Sequence, residues 1–430
     1  MKKRIIVKGP ALSRSGYGEQ CRFALRSLRA HEEKFDIHIR NTNWGNTGWT
    51  HEDDEERKWL DEVLQKTAIY DNQTRDLPVT EQYDMSLQVT IPNEWEKLSA
   101  YDVGYTAGIE TTRIAPAWIV KSEIVDKIVV VSNHAKEVFE KTSYQATNGN
   151  NGEVVDDFRC RKEIEVVNYA VRNFDKQDVD LDFSTDFNFL TMAQIGPRKN
   201  LDNTILWFVD EFKNDENVGL VVKGFIGKNN QYDRDATANH INNLLARFPE
   251  RKCKVYLLHG HMTNEELTGL YQHPKIKCMV TLTHGEGYGL PLFEAAYNAL
   301  PVLAPAWSGH LDFLYMKTKD KKKPKKTKNK AMFGKISYTL GPIPPHAVWE
   351  GVLEKDSMWC YPEPGSYKMR LRDVCDEYTR YKSTAKKLQT HLKEEFSEQK
   401  MYKKFVDAVW PFEEQSVENW LSEMDEKVFD

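Results

Sequence analysis

Apolar positions recur along this chain in two rhythms. Short runs such as KRIIVKG (3–9) and those at 36–40, 85–90, 103–106 and 126–131 read as strands. Between the first two, EQCRFALRSLRAH (19–31) sets Phe23, Ala24, Leu25 and Leu28 near helical spacing. Ser132 and Asn133 open a further helix, with His134 as a helix-start residue. A polar, aspartate-rich stretch, NFDKQDVDLDFSTD (173–186), has the composition of a linker, and a second cycle follows it. FNFLTMAQ, VGLVVKG, KVYLLHG and IKCMVTLT read as buried parallel strands, separated by helices such as LDNTILWFVDEF and NEELTGLYQ. Strands alternating with helices predict an α/β protein with two doubly wound domains in tandem. No repeat of solenoid period interrupts the pattern. From about residue 366 the periodicity is helical to the end, with Pro411 in VDAVWPFEE predicting a kink or a boundary.

Composition narrows the class. Of 430 residues, 40% are hydrophobic and 29% charged, which excludes collagenous, disulfide-scaffold and wholly disordered chains. Sixty Lys and Arg against 65 Asp and Glu leave a formal charge of -5, so any site for a polyanion must be local. One segment qualifies: KTKDKKKPKKTKNK (317–330) holds nine lysines and one aspartate. The opening MKKRIIVKGP has too short an apolar run for a signal-peptide core, and nothing approaches the roughly 20 apolar residues that span a bilayer, so a cytoplasmic location is expected. Six scattered cysteines form no C-x-x-C pair and read as reduced thiols.

The densest chemical signal is THGEGYGLPLFEAAYNALPVLAPAWSGH (283–310). A strand ends, a loop with Gly285, Gly287 and Gly289 follows, and a helix begins near Pro291, presenting N–H groups and a positive helix end to an anion. Glu286 and Glu294, one in the loop and one in the first turns of the helix, can both point into one cleft and accept hydrogen bonds from sugar hydroxyls. Upstream, AQIGPRKNLDNTILW (193–207) puts Arg198 and Lys199 just after a strand. The acid pairs Asp180/Asp182 and Asp233/Asp235 lie in polar sequence and read as surface acids rather than a metal motif.

The 283–310 string resembles the donor signature of retaining GT-B glycosyltransferases of family four, a glutamate, seven residues and a second glutamate, with Gly287, Gly289, Leu290, Pro291, Ala295, Pro301 and Val302 in register. The resemblance implies that Glu286 lies against the transferred sugar and Glu294 holds the nucleotide ribose. It implies that Lys199, with Arg198 beside it, grips the donor diphosphate in place of a metal. Many members carry an arginine where this chain has Gln194, so Arg198 or another cation supplies the second charge. SRSGYGEQ (13–20) resembles the family's first glycine loop, where Gly16 and Gly18 let backbone approach phosphate or sugar. YTAGIETTRIAPAW (105–118) resembles the acceptor-side segment, with Glu110 near a position that is histidine in many relatives. A structural ion pair and a substrate contact both stay open for Glu110.

The implied architecture is GT-B, two Rossmann-like domains facing a cleft. Residues 1–175 form the acceptor side and 186–395 the donor side with the Lys-rich insert, while helices over 396–430 return to the first domain. The expected activity is retaining transfer of a hexose or pentose from a nucleoside-diphosphate sugar, a UDP-sugar by preference, with no cofactor and no metal. A hydroxymethylated DNA base met by the Lys tract is the leading acceptor, and a phage-type member is one reading. A glycan on an anionic membrane surface and a passive Lys-rich loop remain alternatives, and the oligomeric state stays open. The rival of another class is a non-catalytic protein binding sugar nucleotides or polyanions on the same scaffold.

Overall fold

The computed structural model describes residues 2–45, 47–50, 52–147, 152, 154–319 and 327–410. The first half builds a six-stranded sheet from β1 (Lys3–Gly9), β2 (Phe35–Asn41), β3 (Met85–Val89), β4 (Tyr101–Thr106), β5 (Lys127–Val130) and β6 (Ile164–Val166), in the order β2-β1-β3-β4-β5-β6. The second half builds another from β7 (Phe187–Gln194), β8 (Val218–Phe225), β9 (Lys254–Leu258), β10 (Ile276–Val280), β11 (Val302–Pro305) and β12 (Gly334–Ile336), in the order β9-β8-β7-β10-β11-β12. Every neighbouring pair in both sheets is parallel. Strands covered on both faces must be apolar throughout, and β3 and most of β8 are buried along their length. The order reverses between β1 and β3 in one sheet and between β7 and β10 in the other. Connections leave such strands toward opposite faces, so a crevice opens at their carboxyl ends.

Helix α1 (Gly16–Arg29) starts earlier than its apolar pattern places it, because the Ser15 hydroxyl accepts the Gly18 N–H at 3.0 Å and caps the first turn. Helices α2 (Leu201–Phe212), α3 (Asn264–Tyr271) and α4 (Leu290–Tyr297) cover the second sheet. The C-terminal helical run resolves into Pro364–Asp376, Tyr378–Glu395 and α5 (Glu398–Val409). The last of these crosses back to the first sheet, where the Phe405 ring lies 5.5 Å from Phe23 and 5.1 Å from Tyr105. Trp410 packs edge-on to Phe35 at 5.2 Å, while Pro411 lies outside the described residues. Where this return passes the outgoing linker, the Val171 N–H donates to Phe396 O at 2.7 Å.

Two expectations change. The Lys-rich tract is more than an open loop: Tyr315–Lys319 and Thr327–Ala331 pair as an antiparallel hairpin, anchored where Tyr315 meets Phe333 at 5.7 Å, while 320–326 lies outside the described residues. Asp233 is not a surface acid. Its carboxylate accepts the backbone N–H groups of Ile226, Gly227 and Lys228 and bonds His259, and its side chain is 9% exposed. Burial raises its pKa, but His259 and the three N–H groups outweigh burial and hold it below the usual carboxylate range. A hydrophilic stretch of sequence hides such an acid because its partners are main-chain atoms. No described helix is long and apolar enough to cross a membrane.

Candidate active site

The carboxyl ends of the two sheets enclose a cavity of about 1670 Å³. On the second sheet, the chain leaves β7 through a single turn of 3-10 helix, Pro197–Lys199, and Asn200 follows in the left-handed region at φ 51. The Asn200 amide donates to Leu282 O at 3.0 Å, and His284 N donates to Arg198 O at 2.8 Å. These bonds fasten the loop after β7 to the loop after β10, so the cations of one face the acid of the other.

Glu286 is the centre of the cluster. Lys199 Nζ lies 2.6 Å from Oε1 and 2.9 Å from Oε2, and Arg198 Nη1 lies 3.1 Å from Oε2. The same Nη1 donates to Gly285 O at 2.7 Å and pairs with Glu110 of the opposite domain at 3.3 Å. Burial would raise the Glu286 pKa, but Lys199 and Arg198 outweigh it and hold the carboxyl down at about 2. Ser308 Oγ accepts the Glu286 N–H at 2.9 Å, and Gly309 N donates to Glu286 O at 2.9 Å, so the loop after β11 supports the acid from behind. Ser308 holds φ at 76, a strained position for a non-glycine residue.

Glu294 sits in different surroundings. The Tyr271 hydroxyl donates to its Oε2 at 2.8 Å, and among the described residues no cation forms an ion pair with it. Burial dominates and pushes its pKa up to about 7. The two acids expected to share one cleft do line one cavity, Glu286 held down by its cations and Glu294 raised by burial.

The glycines divide by role. A side chain on Gly285 would put its Cβ 2.5 Å from Glu110 O, and one on Gly287 would come 2.7 Å from Ala107 O. Both are therefore small so that the loop can press against residues 107–110 of the other domain. Gly289 caps α4 at φ 92, which only glycine adopts without cost, and Leu290 begins the helix. Gly18 is fixed by packing, since its Cβ would fall 1.9 Å from Ser13 O, whereas Gly16 has open space around it. Of the pair, only Gly16 is free to be approached by a ligand. Gln194 also borders the cavity, but its side chain is tied to Ile226 O at 3.2 Å.

Several cavity residues carry no motif and went unread in the sequence. Lys223, near the end of β8, is 9% exposed; a lysine inside LVVKG was the available signal. Tyr17 and Trp44 stack with ring centroids 4.1 Å apart, and Trp49 and Trp349 reach the cavity from opposite domains, 46% and 59% exposed. Arg14 binds Glu52 at 2.7 Å and also His261, which belongs to the loop after β9, and so ties the two rims together. Described residues of the Lys-rich hairpin do not line the cavity. Among the described residues no cluster of three or more His, Cys, Asp or Glu is arranged to hold a metal ion.

Two reversed parallel sheets meeting at their carboxyl ends have counterparts among solved structures. Over 95% of this chain and 100% of the other, the fold matches Anabaena HepE, crystallised with UDP and glucose, with a TM-score of 0.58 at 10% identity. Over 94% of this chain and 98% of the other it matches a sucrose-phosphate synthase from Thermosynechococcus elongatus, with a TM-score of 0.59 at 12% identity. The fold is GT-B. Residues 173–318, roughly a third of this GT-B chain, match the family model described as glycosyl transferases group 1. Against TarM the chain spans 58% of the other protein's length, covering 80% of its own at 14% identity with a TM-score of 0.48. A search of curated protein sequences finds no match.

Proposed function

We propose that this protein is a retaining glycosyltransferase that moves a sugar from a nucleoside-diphosphate donor, a UDP-sugar by preference, to an acceptor hydroxyl. The observation that carries the reading is the Lys199–Glu286–Arg198 cluster, which lies within the segment matched by the glycosyl transferases group 1 model. Glu286 holds both cations at the edge of the cavity, where this reading puts the donor diphosphate. An arriving diphosphate takes over Lys199 and Arg198, and the freed carboxylate accepts hydrogen bonds from the donor sugar. The bond from the anomeric carbon to the phosphate oxygen breaks as charge grows on that oxygen, and the two cations stabilise it without a metal. The acceptor oxygen bonds the same face of the anomeric carbon and passes its proton to the departing phosphate oxygen. Glu294 would hold the ribose and Gly16 the approach of the sugar. Glu110 acts on the reaction through Arg198, consistent with its 3.3 Å contact.

The acceptor enters past Tyr17, Trp44, Trp49 and Trp349, flat faces suited to a planar ring. A hydroxymethylated DNA base, extruded onto such faces and retained by the Lys-rich hairpin, is the first acceptor to test. A lipid-linked or surface glycan is the second, since tryptophan faces serve sugar rings equally well. Nucleoside diphosphate release from a panel of sugar nucleotides, with and without hydroxymethylated duplex DNA, tests donor and acceptor together, and the anomeric configuration of the product tests retention. No release with any donor would leave the non-catalytic reading standing.

A further inference from the structure

Among the further cations that border the cavity, Lys223 is used by no step above and forms no ion pair among the described residues. Lys223 interrupts the apolar strand β8 and is 9% exposed, yet its ammonium meets only one protein acceptor among the described residues, the carbonyl of Gly260. An ammonium has three donors. The carboxylate acting on it from a distance, Glu266, is committed to the capping box of α3. A lysine so placed presents its remaining donors to whatever occupies the cavity.

Strand order says which part of a ligand arrives there. In the sequence β9-β8-β7-β10, the diphosphate cations follow β7 and Glu286 follows β10, so Lys223 stands one strand, roughly 5 Å, on the far side of the cations from Glu286. Glu294 is linked through Tyr271 to Met192 at the end of β7, the Tyr271 hydroxyl lying 3.6 Å from the Met192 sulfur. A donor with its sugar at Glu286, its diphosphate at Arg198 and Lys199, and its ribose at Glu294 therefore runs its base toward β8. There Met192, Met262 and Leu267 border the cavity with apolar surface.

We propose that Lys223 reads the nucleobase of the donor by donating to a ring carbonyl oxygen, selecting bases with an oxo group at that edge over bases with an exocyclic amine. The inference rests on the donor reading given above and narrows it to uracil or guanine nucleotides. UDP and CDP differ at this point only in oxo against amine, as GDP and ADP do at the corresponding purine position. An amine there would set donor against donor and leave both unsatisfied.

Titration calorimetry on the full chain with UDP, CDP, GDP, ADP and pyrophosphate tests the assignment. In the unsubstituted protein the oxo member of at least one pair should bind 10-fold or more tighter than its amine partner. Lys223→Met, which keeps the apolar stem, should bring that ratio to within about 2-fold and leave pyrophosphate binding unchanged. A ratio near one in the unsubstituted protein overturns the proposal, and so does a ratio that survives Lys223→Met. Equal weakening of all five ligands, pyrophosphate included, would make Lys223 a phosphate contact and overturn it as well. Lys199→Ala separates this failure from failure of the donor reading: if UDP and GDP bind equally well with and without Lys199, the site is not a diphosphate site and both readings fall.

Discussion

The two sheets differ in where their strand order reverses, and in what they keep at that point. In the second sheet the reversal between β7 and β10 is crowded with charge: Arg198 and Lys199 both lie within hydrogen-bonding distance of Glu286. In the first sheet the reversal between β1 and β3 holds the capped start of α1, with Gly16 open and Gly18 spent on packing. Its chemistry is aromatic and lies further out, at Tyr17, Trp44 and Trp49. Equivalent crevices have thus been filled for unlike tasks: one fixes charge, and the other offers flat surface and room. On the proposed function, charge preorganised for a transition state suits the first, and an acceptor needs mainly shape from the second.

The sharpest way to break this contrast is at Glu286. Glu286→Gln should lower turnover by about three orders of magnitude or more, since the neutral amide neither balances the cations nor accepts sugar hydroxyls as strongly. Gln is the informative substitution, because Ala would leave two half-buried cations without their carboxylate and cost stability besides. Near-normal turnover in a sugar-nucleotide assay would remove the charged crevice from the reaction. Lys199→Ala should cost about two orders of magnitude in turnover, and activity should persist in EDTA. A strict need for added manganese or magnesium would contradict that account.

Glycines test the two crevices against each other. Gly287→Ala places a methyl 2.7 Å from Ala107 O and should force the domains apart, cutting kcat/KM about 10-fold or more. Gly16→Ala meets nothing within 4 Å and should leave the Tm unchanged, so any rise it causes in donor KM reports a ligand at that position. Equal effects from the two substitutions would erase the distinction.

Glu294 gives a gentler, pH-dependent test. Its carboxyl is raised to about 7 by burial, relieved in part by Tyr271, with Glu19 raising it further and Arg172 opposing. If ribose hydroxyls need the ionised form, nucleotide affinity should climb up to about 10-fold per pH unit below that value and level off above it. Glu294→Gln should flatten the profile in calorimetric titrations between pH 5.5 and 8. The sign for stability is the reverse. The folded state holds this proton above its unfolded value of 4.5, so the stabilising contribution is full at low pH and is lost as pH rises through about 7. Glu294→Gln should therefore raise Tm at pH 8, by about 2–4 °C. The smallest effect belongs to the Lys-rich hairpin. Removing residues 317–330 should leave Tm nearly unchanged while flattening the salt dependence of duplex DNA binding, measured beside anionic liposomes.

How far the sequence could be read follows from the physics of each element. Runs such as VGLVVKG are apolar because both faces of the strand are covered, so their existence was legible, but strand order depends on distant pairing that no local pattern encodes. Glu286, Glu294, Arg198 and Lys199 stood out because loop-to-helix geometry demands fixed spacing. Lys223, Trp49 and Trp349 come from separate loops and strands and share only the cavity they line. Asp233 reads as a surface acid in sequence because three of its partners are backbone N–H groups and the fourth, His259, is distant in the chain, so none leaves a mark in local composition. The pairing of residues 315–319 with 327–331 was hidden by lysines that suit solvent as well in a hairpin as in a loop.

The chain passes between the two sheets twice, outward near Val171 and back near Phe396, and the two passages are hydrogen-bonded to each other at 2.7 Å. Two adjacent crossings bonded to each other favour rotation about that seam over sliding, as a door hung at two points swings. Such a rotation would part or close the cavity rims that the Arg14–His261 contact joins. Cutting the return passage alone would convert this motion into a tethered wobble, and a nucleotide would lose its fixed angle to the acceptor without any residue of the cavity having changed.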